Sequence, residues 1–268
     1  IIFTRHSGSD LNKKIRKSIP PEREIVIGAK KYDFMKDRQV YYDINTPVIF
    51  ILGITENTDK FEVQAGLREQ LIKKGYIVSS VTSRSDSSIL GMHDFPDFMF
   101  DICISETDKI LSYNHFVKQI EWDENPEVII IGIPGGVFPI SKIKPNYFGI
   151  TAFEISSALT CDCAVLCSPY LDYSKDLSYF SKISNGINEK LDFMIDFHHI
   201  AARTYDKLLE LPSDGASSWL TLDESFIDRK VRSYNINNVY NLRSYSEIEK
   251  LAENIINKLS EEPKVKSI

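Results

Sequence analysis

The residues with the clearest chemical pattern lie between Gly53 and Lys60, directly after an apolar run. Val48 to Leu52 are all apolar, which indicates a buried strand, and apolar residues recur every four positions after Lys60, which indicates a helix. A loop with this glycine and lysine, set between a strand and a helix, has the layout of a phosphate-binding loop. In such a loop the backbone N–H groups converge on phosphate oxygens and the lysine adds positive charge.

The same loop lacks several groups that bind phosphate and magnesium. Asp59 stands at the position of a second glycine, and Phe61 stands where a Ser or Thr hydroxyl would hold magnesium. Because Glu56 and Asp59 outnumber Lys60, the loop has a net charge of −1, whereas a phosphate site requires positive potential. The sequence therefore disfavours a magnesium-dependent nucleoside triphosphatase, although an anion could still reach Lys60 by another route.

Asp59 and Glu62 also have the spacing of a helix capping box, in which two side chains satisfy the free N–H groups of the first helical turn. As an N-cap, the Asp59 carboxylate would accept the N–H bonds that a phosphate needs, and it would stabilise the helix by about 1 kcal/mol. We therefore predict that Asp59 caps the helix and that a phosphate would have to displace it.

Length and composition restrict the class of protein. With 268 residues, 43% of them hydrophobic, the chain can bury the core of one α/β domain with an extension. A net charge of −6, with no basic stretch interleaved with aromatic residues, argues against nucleic acid as a partner. No apolar run approaches the roughly 20 residues of a membrane span, and no signal-peptide pattern opens the sequence. We therefore predict a cytoplasmic protein without a membrane partner.

Two groups of potential metal ligands have simpler structural interpretations. Cys161, Cys163 and Cys167 lie in an apolar segment without the paired spacing of a zinc site, so we expect cysteines on one face of a buried strand. His198 and His199 are neighbours, and neighbouring side chains of a strand point to opposite faces, so we expect one buried and one exposed histidine. We predict no metal site.

Strand and helix patterns alternate from Pro47 onward, which is typical of a mostly parallel sheet with helices on both faces, a three-layer α/β fold. We assign residues 1–46 to an N-terminal extension or the remnant of an upstream domain, with short apolar strands at 24–27 and 40–44, and residues 47–268 to the α/β domain. The expected strands are 48–52, 76–82, 127–132, 162–168, 190–197 and 238–242. The expected helices are 60–74, 107–120, 148–159, 175–187 and a closing helix from Ser244.

Ligands of parallel sheets bind at the carboxyl ends of the strands, so the loops that follow the strands should form the cleft. The longest of these loops covers residues 83–101 and includes Met92, Phe95, Phe98, Met99 and Phe100. Because these side chains would bury apolar area, we expect the loop to be a packed cover rather than a catalytic lid.

A second glycine-rich turn follows the third strand of the domain, in the stretch PEVIIIGIPGGVFPI over residues 126–140. Together with the spacing from Gly53 to Phe61, it resembles dethiobiotin synthetase and the synthetases that amidate cobyrinic acid. The chain also resembles a P-loop family that includes D-glutamate N-acetyltransferases, through the strand Ala164 to Cys167. The resemblance covers residues 47 to about 205 and implies a P-loop NTPase-like fold with a degenerate phosphate loop.

Four residues match the pattern of these families. Gly53 corresponds to the first loop glycine, Lys60 to the phosphate lysine, and Gly135 with Gly136 to a pair of glycines after the later strand. With Asp59 and Phe61, they make up the candidate anion or nucleotide cleft. The resemblance implies a nucleotide or an acyl-CoA as its ligand and assigns no catalytic residue.

Three residues depart from the pattern, and all three departures affect metal-assisted phosphoryl transfer. Asp59 replaces a loop glycine, Phe61 replaces the magnesium-binding hydroxyl, and Gly132 replaces an acidic residue beside magnesium. The resemblance therefore implies the fold of these enzymes without their hydrolytic step.

Another resemblance rests on the residues from Glu56 to Gln64, on HDFPDFMF in the long loop and on GIPGG after the third strand. These stretches are similar to a protein of clostridial peptide-maturation systems, encoded near small ribosomally made peptides. The similarity implies a bacterial accessory protein whose partners are a precursor peptide or other maturation proteins. Two alternatives stay open: a transferase or ligase with an acyl or nucleotide donor held by Lys60, and a structural or regulatory partner. The oligomeric state also stays open, with a homodimer among the alternatives.

Overall fold

The computed structural model describes residues 2–3, 25–26, 40–84, 87–139, 145–206 and 218–260. Its strands are β1 (Ile2–Phe3), β2 (Ile25–Val26), β3 (Val48–Gly53), β4 (Val78–Thr82), β5 (His93–Asp94), β6 (Val128–Gly132), β7 (Cys163–Pro169), β8 (Phe197–Ala201), β9 (Arg203–Asp206), β10 (Ser218–Thr221) and β11 (Val239–Tyr240). Its α-helices are α1 (Lys60–Lys73), α2 (Glu106–Glu124), α3 (Ile150–Ala158), α4 (Tyr179–Leu191), α5 (Glu224–Tyr234) and α6 (Tyr245–Ser260).

Seven of these strands form one sheet in the order β11, β8, β7, β3, β6, β4, β5, and every pairing in it is parallel. Parallel neighbours need long crossover connections, and the helices supply them. β9 and β10 form a separate antiparallel pair, and β1 pairs with β2. The structure confirms the predicted α/β fold, in which the central strand β3 runs through a loop into α1 in the P-loop-like arrangement.

The two faces of the sheet carry separate hydrophobic cores. On β3, Val48, Phe50 and Leu52 belong to one core, and Ile49 and Ile51 belong to the other, as the two-residue period of a strand requires. Helices α2, α3 and α4 cover the first core, and helices α1 and α6 cover the second. A smaller third core joins α4 and α5 to the ends of β8 and β11.

The largest error in the predicted elements concerns the strand expected at 190–197. Helix α4 continues to Leu191, and strand β8 begins only at Phe197. Phe193 and Ile195, which lie between them, have the two-residue spacing of a strand. Both side chains are buried in the first core, but the segment does not belong to the sheet. Helix α5 and the pair β9 and β10 were not predicted.

The long loop after β4 is packed onto the body of the protein. Met92, Phe95, Phe98 and Met99 are buried, as a packed cover requires, whereas Phe100 is exposed. Part of the loop forms the short strand β5, which extends the sheet beside β4. The predicted cover is thus partly an edge strand.

Residues 40–46 are held by α2 and form no strand, contrary to the prediction for 40–44. Tyr42 N–H donates to Asn114 Oδ1, and Asn114 Nδ2 donates back to Tyr42 O, both at 2.8 Å. Glu121 Oε1 accepts the N–H groups of Asn45 and Thr46, both at 2.7 Å. In the strand predicted at 24–27, Ile25–Val26 form β2, and the other two positions lie outside the described residues.

The predicted placement of the cysteines is correct for two of them. Cys163 and Cys167 lie on β7 and are buried in the second core. Cys161 precedes the strand and packs against the first core, so the three do not share a face. Among the described helices, none is both long enough and apolar enough to cross a membrane.

Candidate functional site

The loop between β3 and α1 turns through two residues with left-handed backbone, Asn57 and Asp59, each with φ of 58°. This conformation suits glycine best and is tolerated by asparagine and aspartate. Asp59 therefore adopts the backbone that glycine would adopt at its position. The Thr58 hydroxyl donates to Thr55 O at 3.1 Å and braces the turn.

The N–H groups at the start of α1 have no hydrogen-bond acceptor among the residues that the structure describes. Within the described part of the chain, the N–H groups of residues 55–62 donate no hydrogen bond, and the first bonded one is that of Val63, which donates to Asp59 O at 2.9 Å. Free N–H donors at a helix N-terminus are the groups with which loops of this kind bind anions. The loop thus presents backbone donors of this kind at the start of α1.

Asp59 does not cap α1, so the capping-box prediction is wrong. Its carboxylate is fully buried and points instead to residues from three other segments. Asp59 Oδ2 lies 3.7 Å from His199 Nε2 and 3.8 Å from Arg243 Nη1, and Asp59 Oδ1 lies 3.8 Å from Arg203 Nε. These distances exceed hydrogen-bond length, and neither carboxylate oxygen has a hydrogen-bond partner in the described structure.

His199 has a defined tautomer. Its Nδ1 accepts a hydrogen bond from Leu242 N–H at 3.0 Å, which leaves the proton of the neutral imidazole on Nε2, facing Asp59. His198 points to the opposite side of the strand, where its Nε2 lies 3.3 Å from Ser184 Oγ, and burial lowers its pKa to about 4. Both histidines are buried, so the prediction that one is exposed is wrong.

The charges around Asp59 are balanced. Burial raises the pKa of Asp59, but the His199 N–H group and the charges of Arg243 and Arg203 outweigh burial, and the net shift is downward. The carboxylate is therefore ionised at neutral pH. Arg243 Nε also lies 3.1 Å from Glu224 Oε1, so two carboxylates face two guanidinium groups beside a neutral imidazole.

Lys60 is engaged with the glycine-rich turn after β6. Its Nζ donates to Ile133 O at 3.2 Å and to Gly135 O. Burial lowers the pKa of Lys60 to about 8, and the nearby Glu56 carboxylate opposes that shift. The lysine thus joins two loops at the carboxyl edge of the sheet.

The glycines of the predicted cleft allow these loops to approach each other closely. A Cβ on Gly53 would lie 2.6 Å from Thr55 O, and a Cβ on Gly136 would lie 2.5 Å from Ile54 O. Val137 N–H donates to Gly53 O at 3.1 Å across the two loops. The structure brings these glycines, Gly135 and Lys60 together, and their role in ligand binding stays a prediction.

The Phe61 position offers no ligand for magnesium. Phe61 presents its ring to Arg84, whose Cζ lies 4.5 Å from the ring centroid, so a cation–π contact replaces the expected hydroxyl. Nor do the described residues contain a group of three or more His, Cys, Asp and Glu side chains that could hold a metal ion.

The Gly132 position is filled by a neighbouring side chain. A Cβ on Gly132 would lie 2.2 Å from Gln64 Oε1, which shows that the Gln64 amide packs directly over the glycine. Gln64 Nε2 donates to Ser80 Oγ at 2.9 Å and to Val81 O at 2.8 Å, so the amide is fixed in this place.

The basic side chains around Asp59 were not predicted as site residues. His199 lies on β8, Arg203 on β9 and Arg243 after β11, and nothing in their local sequence connects them to the loop before α1. The available signal was positional, since the loops after strands share one edge of a parallel sheet. That rule identifies the edge and leaves the partners of Asp59 undetermined.

No family model and no curated protein sequence matches the chain. Among solved structures, it is similar to a DUF1611 family protein from Anabaena variabilis, with 9% identity and a TM-score of 0.54 over 96% of this chain and 71% of that chain. It is also similar to cobyrinic acid a,c-diamide synthase from Mycobacterium smegmatis with bound ADP and magnesium, with 10% identity and a TM-score of 0.43 over 81% and 96% of the two chains. A plasmid partition protein from Borrelia burgdorferi has 13% identity and a TM-score of 0.43 over 80% and 100%. The likeness to the first of these structures, together with the seven-stranded parallel sheet, shows an α/β fold.

Proposed function

We propose that this chain is an accessory protein of a peptide-maturation system that binds an anionic group at its degenerate phosphate loop and does not hydrolyse nucleoside triphosphates. The observation that carries the proposal is the replacement of both expected magnesium-binding groups. Phe61 presents a ring under Arg84, and Gly132 lies beneath the Gln64 amide. Metal-assisted phosphoryl transfer needs oxygen ligands at these positions.

The binding part of the proposal is supported by the backbone of the loop. The N–H groups of residues 55–62 have no acceptor among the described residues, and free N–H groups at a helix N-terminus favour an anion. The accessory role in maturing a ribosomal peptide is supported by the sequence similarity of Glu56 to Gln64, HDFPDFMF and GIPGG. A peptide carries carboxylates, which are anions that such donors accept.

A turnover assay tests the absence of hydrolysis. We expect the purified protein to release no phosphate from ATP or GTP above the level of a Lys60→Ala control, with or without magnesium. The control excludes a contaminating enzyme, because it changes the loop and leaves the purification unchanged. Magnesium-dependent turnover of about 1 s⁻¹ or more in the wild-type protein and not in the variant would overturn the proposal.

Binding of a small peptide encoded beside the gene, as the resemblance implies, tests the accessory role. We expect the synthetic precursor peptide to bind the purified protein in isothermal titration. Acidic residues of the peptide should contribute, so a peptide with these residues changed to amides should bind about tenfold more weakly. Absence of binding by the unmodified peptide would remove the accessory role and leave the result of the turnover assay unaffected.

A second candidate function is a transferase or ligase that uses an acyl or nucleotide donor. The pKa of Lys60, which is lowered to about 8, favours it, because such a lysine is partly neutral near physiological pH and can exchange a proton. A rise of several degrees in melting temperature with acetyl-CoA, ATP or GTP would support this candidate, and Lys60→Ala should abolish the rise. Persistence of the rise in the variant would exclude Lys60 from the donor site.

A further inference from the structure

The cluster of Asp59, His199, Arg203 and Arg243 has no task in the proposed function as stated so far. Its members come from the loop before α1, from β8, from β9 and from the segment after β11. The fold therefore assembles three basic or N–H-bearing side chains around one carboxylate at the carboxyl edge of the sheet. Asp59 itself belongs to the loop with free N–H groups, so the cluster borders the candidate cleft.

The carboxylate fills its place loosely. Charge-assisted hydrogen bonds are about 2.7–2.9 Å long, whereas the three contacts of Asp59 are 3.7, 3.8 and 3.8 Å. Both Asp59 oxygens and His199 Nε2 lack a hydrogen-bond partner within the described structure, although buried polar groups usually have one. The three donor side chains lie farther from the Asp59 carboxylate than hydrogen-bond length. They could therefore hold a larger anionic group, or one that lies closer to them.

We propose that His199, Arg203 and Arg243 form an oxyanion-binding site that the Asp59 carboxylate occupies in this structure, and that a phosphate or carboxylate group of a ligand binds there when Asp59 is displaced. This inference rests on the proposed function, because it takes the cleft as a site for binding an anion. His199 contributes an Nε2–H donor fixed by Leu242, and each arginine contributes guanidinium donors.

The accessibility of the arginines fits an incoming ligand. The side chains of Arg203 and Arg243 are 33% and 35% exposed, whereas those of Asp59 and His199 are fully buried. A ligand would therefore meet the guanidinium groups first and reach His199 only after the carboxylate has moved. Phosphate has more acceptor oxygens than a carboxylate, so it can contact all three donors at once.

The charge balance predicts how the site responds to substitution. With Asp59 and Glu224 facing Arg203 and Arg243, the cluster has no surplus positive charge, and a free anion should bind weakly to the wild-type protein. Removal of the Asp59 side chain should leave one uncompensated positive charge and an open place beside His199. Glycine is suited to this position because the backbone of Asp59 has φ of 58°.

The test compares anion binding by the wild-type protein, Asp59→Gly and the triple variant Asp59→Gly/Arg203→Ala/Arg243→Ala. Sodium phosphate and sodium acetate, titrated in separate calorimetric experiments at constant ionic strength, distinguish a phosphate site from a carboxylate site. We expect Asp59→Gly to bind at least one of them about tenfold or more tightly than the wild-type protein does, and the triple variant to lose this gain. Equal affinity of Asp59→Gly and the wild-type protein for both anions would overturn the inference.

A matched control separates the site from a general effect of charge. Glu224→Gln removes a negative charge from the same cluster but leaves Asp59 in place. We expect it to gain little affinity, and a gain equal to that of Asp59→Gly would overturn the inference. If circular dichroism shows that Asp59→Gly is unfolded, Asp59→Ala, which also removes the carboxylate and opens the place beside His199, takes its place in the comparison, with the same outcomes. ATP turnover by the wild-type protein would refute the proposed lack of hydrolysis without affecting these titrations, so the two failures are distinguishable.

Discussion

At the scale of single residues, Asp59 shows how one side chain can decide which groups a loop contacts. Sequence spacing placed Asp59 in a capping box, because an aspartate and a glutamate three positions apart satisfy a first helical turn. The left-handed backbone of Asp59 instead directs its carboxylate to His199, Arg203 and Arg243. Opposite charges and a fixed N–H donor favour the ionised form of this buried carboxylate, as the lowered pKa of Asp59 indicates. Local spacing contains no information about these distant partners.

Lys60 permits a prediction at the same scale from the pH dependence of stability. Its pKa is lowered from 10.5 to about 8 by burial, so the unfolded chain binds more protons than the folded chain between these pH values. The free energy of unfolding should therefore rise with pH in that interval, by about 2 kcal/mol between about pH 7.5 and about pH 9.5, relative to a Lys60→Met variant. Urea unfolding of both proteins at about pH 7.5 and about pH 9.5 measures this difference.

The part of the stability loss in Lys60→Met that does not depend on pH serves as the internal control. Loss of the hydrogen bonds to Ile133 O and Gly135 O should destabilise the variant equally at both pH values. Only the titration of the lysine changes between them. If the stability difference between the two proteins stays the same across the interval, the lysine does not titrate as its burial requires.

At the scale of elements, the contact between α1 and β6 permits a prediction about Gly132. A Cβ at this position would lie 2.2 Å from Gln64 Oε1, and the Gln64 amide is held by Ser80 and Val81. Gly132→Ala should therefore reduce the free energy of unfolding by about 1–3 kcal/mol through overpacking, measured by urea denaturation. The double variant Gly132→Ala/Gln64→Ser should lose less stability than the sum of the losses in the two single variants, because the shorter serine side chain also removes the clash.

Gly186 in α4 provides the matched control for Gly132. The nearest atom to a Cβ there is Phe138 Cζ, at 3.9 Å, which is an ordinary contact. Gly186→Ala should leave stability unchanged or raise it by up to about 1 kcal/mol, because alanine favours a helix more than glycine does. A loss of stability at Gly186 equal to that at Gly132 would show that the Gln64 contact is not the cause.

The attachment of residues 40–46 to α2 permits a second prediction about an element. Glu121 accepts the N–H groups of Asn45 and Thr46 and pairs with Lys118, and its side chain is 10% exposed. Glu121→Ala should cost about 2–4 kcal/mol, since it leaves two N–H groups without an acceptor and the buried Lys118 ammonium, which also donates to Asp43 O, without its counter-charge. The measurements are thermal unfolding and the rate at which a protease cleaves the chain near residue 40.

The control for the nearly buried Glu121 is a glutamate of an exposed ion pair. Glu69 pairs with Lys73 on the surface of α1, where both side chains are about half exposed. Glu69→Ala should change stability by less than about 1 kcal/mol and leave proteolysis near residue 40 unaffected. Protection of that segment in Glu121→Ala equal to that in the wild-type protein would show that Glu121 does not hold residues 40–46 in place.

The elements differ in how well the sequence predicts them, for a physical reason. Strands β3, β6 and β7 are buried on both faces, so each is a continuous apolar run that the sequence displays directly. Helix α5 has only Ile227 and Tyr234 buried, too few apolar positions for a clear helical period. The segment between α4 and β8 contains buried residues but is not a strand. The sequence pattern indicates burial, whereas pairing with a sheet depends on distant contacts that the pattern does not show.

At the scale of the whole molecule, the candidate site is assembled by the order of the strands. β3 lies between β7 and β6, so the loop after β3 meets the turn after β6 on one side. On the other side it faces residues on or beyond β8 and β11. The sequence predicted the first contact, since both loops contain glycines and follow apolar strands. The contact on the other side depends on the position of β11 beside β8, and the two residues of β11 do not indicate which strand it pairs with.

The shared sheet also predicts that both faces unfold together. Alternate residues of β3 and β6 belong to the first and second cores, so neither core can lose its packing while the sheet remains intact. Leu251 of α6 is fully buried in the second core, and Leu251→Ala should cost about 2–5 kcal/mol. Trp122 lies on α2, which covers the first core, and in a Trp219→Phe background it is the only tryptophan. We expect Leu251→Ala to shift the urea midpoints of Trp122 fluorescence and of circular dichroism by the same amount.

The comparison is decisive because the substitution and the reporter lie on opposite faces of the sheet. Ile77→Ala, at a side chain that is 55% exposed, is the control, and it should shift neither midpoint by more than the equivalent of about 0.5 kcal/mol. If Leu251→Ala lowers the midpoint of circular dichroism and leaves that of Trp122 unchanged, the two cores unfold separately. In that case a ligand at the carboxyl edge would stabilise only one face, whereas a single cooperative sheet transmits the stabilisation to both.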